Sequence, residues 1–475
     1  MRVGLVFLVV CVLSALVCGM SAADAAAPTR GAARASQPHV IYISLDTTRA
    51  DYLGCYGNRW VKTPALDQFA QEGVVFENCQ SVAPTTLASH TSLFTGKYPH
   101  THGVPRNGFY VNDANVTLAE VLAENGYQTA AFLASFALNG RFNLSQGFAH
   151  YDDAYQDASK GNNLTVNVRD AKAVTDATLR YVENHRGEKP LFLFVHYFDP
   201  HAPYQPPAPY NSLYDGIVQD GGAAEAEDGP PAEVLEKAER RQLRQLKHYA
   251  GEISYMDAHL ARLFKGLRAH GVYDDAFILI TSDHGESLLD HEPFFSHGYN
   301  VHQDTMHLVA MCRFPGGERA GMRVAGLISN IDFYPSTLTW LGLDTAAGVE
   351  GLTVDLTADP ITTQRIEAYG QATKPFGRVE IEGMWHNLDK ARMVRQGAKT
   401  FIQVPYKGAE AFYDLKCDPR QQKNRIAEES PGERVDELRG LLETWAGLAT
   451  PLSTHYERGR KQETQERLEA LGYFE

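Results

Sequence analysis

The sequence predicts an α/β fold in which a doubly wound, mostly parallel sheet is flanked by helices and followed by a smaller α+β subdomain. Segments rich in β-branched and aromatic residues alternate with segments of helical periodicity over most of the chain. This alternation is typical of parallel sheets covered by helices. From about Glu367 the pattern changes to short strands and a helix, which indicates a separate subdomain at residues 367–475.

The strands of the main sheet are predicted from near-continuous apolar runs, which are typical of strands buried on both faces. These runs are residues 39–45, 128–133, 191–197 and 276–281. Helices are predicted from apolar residues at helical spacing, several of them followed by Gly. They cover residues 64–72, 87–95, 117–125, 168–184 and 232–270.

The C-terminal part predicts shorter elements. A hairpin over residues 392–405 turns at Gly397, and a strand at 413–415 and a final helix near 434–448 follow. Residues 221–231, rich in Gly, Ala, Pro and acidic residues, predict a surface loop.

The first 27 residues predict a secretory signal peptide. Arg2 precedes an apolar run from Val3 to Val17, and small residues with possible cleavage sites follow near Ala23–Ala27. No later stretch reaches 18 apolar residues, so no integral membrane segment is expected after cleavage. We therefore expect a secreted or periplasmic protein, in which the remaining cysteines permit one or two disulfides. These cysteines are Cys55, Cys79, Cys312 and Cys417.

Composition limits the kind of partner. A chain of 475 residues with 44% hydrophobic residues can bury a large core. Its net charge of −14 argues against nucleic acid or an acidic membrane, since either would require a basic face. An anionic substrate would need a bound cation.

Acidic residues stand at the ends of two predicted strands. Asp46 follows the strand at 39–45, and Asp283 with His284 follows the strand at 276–281. Open α/β sheets bind ligands at the carboxyl ends of their strands, so these side chains are expected to meet. Two carboxylates, an imidazole and a threonine oxygen make a four-ligand set for a divalent cation. The alternative is that each Asp only caps the helix that follows.

The stretch from Pro84 to Gly96 predicts a helix with a hydroxyl at its start. Pro84 and the pair Thr85–Thr86 favour a helix N-terminus, and Gly96 is typical of a helix end. The free N–H groups and the positive end of the helix dipole favour a phosphate or sulfate beside Thr86. The alternative is that Thr85 or Thr86 serves only as an N-cap.

Two histidines are candidates for proton transfer. His201 follows the strand at 191–197, and His297 stands thirteen residues after His284. Near pH 7 an imidazole can protonate a leaving oxygen or bind a second metal ion, and both roles stay open. Four other histidines give no such signal by their positions: His196, His291, His302 and His307.

Five motifs occur in an order that resembles the sulfatase family of the alkaline phosphatase superfamily. They are Leu45–Gly57, Ser89–Pro99, His196–Tyr204, Thr281–Glu286 and Tyr413–Pro419. The resemblance spans nearly all of the chain after the predicted signal peptide. It implies a mixed, mostly parallel sheet flanked by helices, a divalent metal ion and the hydrolysis of an ester.

The nucleophile position departs from the main type of that family. Sulfatases of the main type carry Cys or Ser in a C/S-x-P-x-R pattern, ten residues before the Gly of Thr-Gly, and convert it to formylglycine. This chain has Thr86 there, with Ala88 in place of the Pro and His90 in place of the Arg. Formylglycine chemistry is therefore not expected. The family's usual Asp pair is also reduced to Asp46-Thr47, and its usual Asp-Asn becomes Asp283-His284.

These positions look like those of the threonine-nucleophile members of the superfamily, which include phosphodiesterases and lipid head-group transferases. The resemblance implies that Thr86 attacks phosphorus with a metal ion on its oxygen. It also implies that Asn107, twenty-one residues after Thr86, holds a non-bridging phosphoryl oxygen. We include His90 among the catalytic candidates. A nitrogen ligand shifts the metal preference toward zinc or manganese, with calcium possible and a second metal undecided.

We therefore predict an exported, metal-dependent ester hydrolase with a catalytic domain at residues 37–366. The catalytic candidates are Thr86, His90, Asn107, His201 and His297, and the metal ligands are Asp46, Thr86, Asp283 and His284. The expected substrate is an anionic ester of a small molecule, glycan or lipid, with phosphate mono- or diesters favoured. Two alternatives stay open: a sulfatase without formylglycine, and an inactive binding protein of the same fold.

Overall fold

The strand at His39–Leu45 lies in the middle of the main sheet. The computed structural model describes residues 37–154, 168–216, 238–377, 379–380, 384–429, 432–457, 461–471 and 473. In it, β1 (His39–Leu45) pairs in parallel with β5 (Leu191–Tyr197) on one side and β6 (Ala276–Thr281) on the other. Six of the seven residues of β1 are buried. The continuous apolar run arises because both faces of this strand are covered.

The main sheet is mixed and mostly parallel. Its other described strands are β2 (Val74–Gln80), β3 (Gln128–Phe132), β4 (His150–Asp152), β7 (His307–Leu308), β8 (Ala310–Arg313) and β9 (Met322–Ser329). The order is β4-β3-β5-β1-β6-β8-β2-β7, and β9 also pairs with β2. The first five of these strands are parallel, whereas β8 runs antiparallel to β6 and to β2. The predicted fold class is confirmed.

Helices pack against the two sheets, and one of them is entirely buried. They are α1 (Pro64–Glu72), α2 (Thr86–Thr95), α3 (Pro99–His102), α4 (Leu118–Glu124), α5 (Ala171–Glu183), α6 (Arg240–Ala269), α7 (Gln303–Met306), α8 (Phe333–Trp340), α9 (Ile426–Glu429), α10 (Glu433–Gly447) and α11 (Lys461–Glu469). Every residue of α2 is buried, and the helix ends at Gly96 with a φ of 66°. Within the described residues, no helix combines the length and the apolar character that crossing a membrane requires.

A second, antiparallel sheet contains the predicted hairpin. Its strands are β10 (Glu367–Gln371), β11 (Arg392–Gln396), β12 (Lys399–Val404) and β13 (Ala409–Asp414), in that order. The turn between β11 and β12 places Gly397 at a φ of 59°, a conformation that favours glycine. Val435, Leu438 and Leu442 of α10 pack on Val394 and Phe401 of this sheet.

Several elements differ from the sequence prediction. The strand predicted at 413–415 begins earlier, at Ala409, and ends at Asp414. The helix predicted as the last one is α10, and α11 follows it. Six strands have no counterpart in the prediction: β2, β4, β7, β8, β9 and β10. In β2 the half-buried Glu77 and Asn78 interrupt the apolar run, which hides the strand from a search for continuous hydrophobicity.

Some predictions fall outside the described residues. They are the signal peptide at 1–27, the loop at 221–231 and the first turns of the helix predicted at 232–270, of which the described part begins at Arg240. The residues from Pro38 onward form one compact unit. The division of the chain into parts 37–366 and 367–475 stays a prediction.

The disulfides that the sequence permitted are not formed. Cys55, Cys79, Cys312 and Cys417 are all free thiols. Cys312 on β8 pairs with Val74 of β2, five residues from Cys79 on that strand. At about 3.3 Å per residue the two buried sulfurs are too far apart to bond.

Candidate active site

The two predicted acidic strand ends meet at the carboxyl edge of the sheet. Asp46 follows β1, and Asp283 and His284 follow its neighbour β6. One ligand atom from each of these three residues lies within 4.8 Å of the other two, and all three side chains are buried. The neighbouring parallel strands place them there, as the sequence pattern indicated.

The electrostatics of this cluster call for a cation. Burial raises the pKa of Asp46 well above its usual range, and the Asp283 carboxylate raises it further. Burial alone would raise the pKa of Asp283 too, but His284 and other nearby imidazoles hold it below its ordinary value. Asp46 Oδ1, Asp283 Oδ2 and His284 Nε2 have no hydrogen-bond partner among the described residues. Buried lone pairs without partners are costly, so this donor set fits a divalent metal ion.

Thr86 is the first residue of α2, and its hydroxyl does not cap the helix. The N-cap is Thr85, whose side chain donates to the Pro84 carbonyl (2.7 Å) and contacts the Thr373 hydroxyl. Thr86 is fully buried, and its interaction with Asp46 favours the ionised form of that carboxylate. Its Oγ1 atom lies 3.0 Å from the hydroxyl of Tyr473. The N-cap explanation therefore does not account for Thr86.

Asn107 lies against the same helix start. Its Oδ1 atom accepts a hydrogen bond from the backbone N–H of Leu87, the residue after Thr86, at 2.8 Å. Its Nδ2 group is buried and has no hydrogen-bond partner among the described residues. The amide is thus held with free donors next to Thr86, as the resemblance implied.

His90 lies beneath the cluster, with both ring nitrogens in use. Nδ1 is 2.7 Å from the carbonyl of Thr86, to which it donates, and Nε2 is 2.8 Å from the Ser44 hydroxyl. Burial lowers the pKa of His90 to about 4, so the ring is neutral near pH 7. Nδ1 also lies 3.7 Å from Asp283 Oδ2. Both ring nitrogens thus have partners within the protein, and the catalytic role of His90 stays a prediction.

His196 belongs to the site, although it is not one of the site residues predicted from the sequence. Its Nε2 atom lies 3.1 Å from Asp46 Oδ2, and both side chains are buried. His196 is the register partner of Ser44 on β1, so it stands near the end of a strand next to the metal cluster. Strand-end position, the signal that selected Asp46, would have selected His196 as well.

His201 and His297 approach the site from the loops after β5 and β6. His201 Nδ1 lies 2.7 Å from the Ala202 carbonyl, and His297 Nδ1 lies 3.2 Å from Glu286 Oε1. The two rings meet edge to face with centroids 5.1 Å apart. Both Nε2 atoms are buried and have no hydrogen-bond partner among the described residues. Burial and His297 lower the pKa of His201 to about 3, so its ring is neutral near pH 7.

Two further charged residues line this part of the site. Glu286 accepts a hydrogen bond from the Tyr204 hydroxyl at 3.0 Å while its other oxygen holds His297. Lys374 is 4% exposed, its backbone N–H bonds to the Gly298 carbonyl, and its charge acts on both Glu286 and His297. The sequence gave no signal for Lys374, because it follows a short loop after β10.

A second group of possible metal ligands lies apart from Thr86. It consists of His291, His302 and Asp304. The rings of His291 and His302 are stacked, with centroids 3.7 Å apart and ring planes 4° from parallel. Their in-plane lone pairs therefore do not converge. His291 Nδ1 lies 2.9 Å from Asp304 Oδ2, and that contact raises the pKa of His291 despite its burial. This arrangement is explained by an ion pair.

A cavity of about 350 Å³ opens beside His201. Phe198, Tyr255 and Leu471 give it apolar walls, and the carboxylates of Asp199 and Glu252 also line it. A volume of this size suits a single ring or sugar unit.

The chain is similar to known proteins over most of its length. A family model described as Sulfatase matches residues 38–343. An arylsulfatase of Clostridium perfringens is 24% identical over 465 residues, covering 86% of this chain and 94% of the relative.

Two solved structures show the same fold. A phosphonate monoester hydrolase of Agrobacterium radiobacter superposes with a TM-score of 0.68 at 21% identity, covering 86% of this chain and 95% of the other. A protein solved in complex with its substrate, D-glucosamine-2-N,6-O-disulfate, gives a TM-score of 0.71 at 20% identity, covering 87% and 98%.

Proposed function

The chain belongs to the sulfatase family, and from this premise we propose that it is an exported, metal-dependent hydrolase that cleaves phosphate mono- or diesters with Thr86 as its nucleophile. Membership in the family makes it a sulfatase-like ester hydrolase. The observation that carries the finer proposal is the position of Thr86. Its buried hydroxyl starts α2 beside Asp46, and no cysteine or serine stands at that position.

We assign the metal to Asp46, Asp283, His284 and the Thr86 hydroxyl. Zinc or manganese suits this set because it includes an imidazole, and calcium is the less favoured choice. When bound, such an ion lowers the pKa of a coordinated hydroxyl and offsets the negative charge of the transferring group. His196, which is hydrogen-bonded to Asp46, fixes the orientation of that ligand.

Several residues of the chain take part in the first step, the attack on phosphorus. The hydroxyl proton of Thr86 leaves to water, and Oγ1 forms a bond to phosphorus while the bond to the leaving oxygen breaks with its electron pair. The Nδ2 donors of Asn107 and the positive end of α2 stabilise negative charge on the non-bridging oxygens.

The leaving oxygen needs a proton, and His201 is in position to supply it. Its Nε2 faces the site without a protein partner, and the ring is neutral until an anionic ester binds beside it. A nearby negative charge raises the pKa of an imidazole, so the bound ester promotes protonation of Nε2. Glu286 holds His297 next to it through Nδ1. Water then attacks phosphorus and the bond between phosphorus and Thr86 Oγ1 breaks, which releases phosphate from a monoester substrate or a phosphate monoester from a diester.

Phosphorus is favoured over sulfur because of the second step. Formylglycine releases sulfate when its hydrate collapses to an aldehyde, and Thr86 has no such route. A sulfated threonine would have to be cleaved by fresh attack at sulfur. A phosphothreonine formed from a monoester carries one more negative charge than a sulfated threonine, so a bound cation would hold it more strongly and offset the charge that repels the attacking water.

Hydrolysis of a sulfate ester is the second candidate. It is favoured by the activity in the name of the Clostridium perfringens relative and by the sulfated substrate of the similar structure. The cavity beside His201 would take the leaving group in either case. An inactive binding protein is the third candidate, and any turnover of an ester would exclude it.

The experiment compares matched nitrophenyl esters. We expect kcat/KM for the phosphate mono- or diester to exceed that for the sulfate by at least about tenfold, or about 1.4 kcal/mol of transition-state preference. Thr86→Ala should abolish turnover. Thr85→Ala is the matched control, since it removes the neighbouring hydroxyl and should stay active. A sulfate ester as the better substrate, or an active Thr86→Ala variant, would contradict the proposal.

A further inference from the structure

The side chain of Tyr473 ends at the proposed nucleophile, although the two residues are 387 positions apart in the chain. Its hydroxyl lies 3.0 Å from Thr86 Oγ1, and the residue is 3% exposed. Its ring contacts the two proton-transfer candidates, with centroids 5.2 Å from His201 and 5.8 Å from His297. Tyr473 therefore touches the reacting atom and both imidazoles at once.

The segment before Tyr473 is anchored by its own packing. The backbone N–H of Tyr473 donates to the Leu468 carbonyl at 3.1 Å, which ends α11 with a tight turn. Leu468 is completely buried, and its Cδ1 lies so near Gly108 that a Cβ there would be only 3.0 Å away. Gly108 directly follows Asn107, so the contact between Leu468 and Gly108 connects this segment to a residue of the site.

A second contact holds the other side of this segment. Leu471 is buried and lines the cavity beside His201 and Phe198. Arg467 lies over the ring of Phe136, 4.0 Å from its centroid. A side chain held at several points in this way keeps its hydroxyl in place at little further entropic cost.

We propose that Tyr473 is a further catalytic residue, whose hydroxyl donates a hydrogen bond to Thr86 Oγ1 as this oxygen attacks. The inference rests on the proposed role of Thr86 as nucleophile. Tyr473 keeps its own proton throughout: the Thr86 proton leaves to water, and the donated hydrogen bond stabilises negative charge on Oγ1 before the bond to phosphorus forms. Donors placed where charge develops in a dry site are the usual source of such stabilisation.

The ring serves the same step by its position. It lies against His201 and His297, so it helps to hold both imidazoles in place beside the nucleophile. A purely structural tyrosine would need only this packing. The hydroxyl contact with Thr86 is the feature that packing does not explain.

The test uses Tyr473→Phe in the full-length, metal-loaded protein. This change removes one oxygen and keeps the ring contacts. We expect kcat for a nitrophenyl phosphate ester to fall about a hundredfold to a thousandfold, the usual order for loss of one such donor. KM, metal content and Tm should stay close to those of the unchanged protein, because the hydroxyl acts on Thr86 rather than on the substrate, the fold or the ligand set.

The matched control is Tyr456→Phe. Tyr456 also packs beside Gly108 and on Phe109, but it does not belong to the proposed catalytic set. We expect its kcat to stay near that of the unchanged protein. If Tyr473→Phe keeps full kcat, gains activity, or loses no more than Tyr456→Phe, the inference about Tyr473 is wrong.

A separate variant distinguishes this failure from failure of the proposed function. If Thr86→Ala is inactive while Tyr473→Phe is fully active, the nucleophile assignment stands and only the role of Tyr473 falls. If Thr86→Ala is active, both the proposed function and the role of Tyr473 are wrong.

Discussion

Asp46 and Asp283 face each other from the ends of two neighbouring parallel strands, with ligand atoms within 4.8 Å. Both are buried, and each carboxylate has one oxygen without a hydrogen-bond partner among the described residues. Two carboxylates this close do not both ionise in a dry site unless a positive charge lies between them. The pair therefore marks the position of a cation site.

The first prediction concerns removal of one of these ligands. Asp283→Ala should lose both the bound metal and the esterase activity, because only Asp46 and His284 of the cluster would remain. Metal content is measured by mass spectrometry on the purified protein. His302→Gln is the control, since His302 belongs to the stacked group away from Thr86 and its loss should leave one metal site loaded. Unchanged metal content in Asp283→Ala would show that the ligand assignment is wrong.

The second prediction concerns the residue behind Asp46. His196→Ala should weaken metal affinity by about tenfold to a hundredfold, the usual effect of losing a side chain that orients a ligand. The reason is the 3.1 Å contact between His196 Nε2 and Asp46 Oδ2. Titration of the apo protein with zinc or manganese measures the change. His307→Ala is a suitable comparison, because the His307 ring bonds to the Glu77 carbonyl instead. Equal metal affinities for both variants would show that His196 does not orient Asp46 as a metal ligand.

The third prediction separates proton transfer from metal binding. His201→Ala should slow esters with poor leaving groups by about a hundredfold or more relative to nitrophenyl esters, since only the poor leaving groups need a proton. Rates for an alkyl and a nitrophenyl phosphate ester, measured with each protein, give the comparison. Equal losses on both substrates would indicate a metal-binding or structural role for His201.

The sequence predicted the centre of the fold well because its signal was local. The runs at 39–45, 191–197 and 276–281 match β1, β5 and β6, since strands buried on both faces read as continuous apolar segments. Edge strands such as β9, with alternating burial, and the two-residue β7 leave no such trace. The antiparallel strand β8 is fully buried, but it has only four residues, too few for its apolar run to indicate a strand.

The candidate site was predictable to the extent that strand ends determine it. Asp46, Asp283 and His284 were found because parallel strands share one carboxyl edge. His196 follows the same rule and was overlooked among the other histidines. Tyr473 lies 387 residues from Thr86, and no periodicity or spacing connects the two. Such a residue is found only when the fold brings the segments together.

The fourth prediction concerns stability and pH. Asp290 is buried between Arg49, 2.5 Å away, and Arg420, and these guanidinium groups hold its pKa below the ordinary 3.8 despite its burial. A lowered carboxyl pKa stabilises the folded state above the unfolded pKa, and this stabilisation is lost as the pH falls below about 3.8. Asp290→Asn should therefore lower the free energy of unfolding by about 2 kcal/mol at pH 7, since it removes a carboxylate that is hydrogen-bonded to both guanidinium groups, while Arg49 keeps its contacts with Asp51.

Chemical denaturation at pH 7 and at pH 3 measures this difference. The difference in free energy of unfolding between the unchanged protein and Asp290→Asn should be largest at pH 7 and smaller at pH 3. Asp355→Asn is the control, because Asp355 lies on the surface and its loss should cost little at either pH. A gap that stays constant or widens toward acid would contradict the ion-pair explanation.

The central claim, that Thr86 is the nucleophile for a phosphate ester, is tested most directly by its covalent product. The protein is mixed with a nitrophenyl phosphate ester, quenched in acid within the first turnover and digested, and the peptide that contains Thr86 is analysed by mass spectrometry. We expect one added phosphate, located on Thr86 and absent from the corresponding peptide of Thr86→Ala. Substrate turnover with no phosphate on Thr86 at any quench time, together with an active Thr86→Ala variant, would contradict the account.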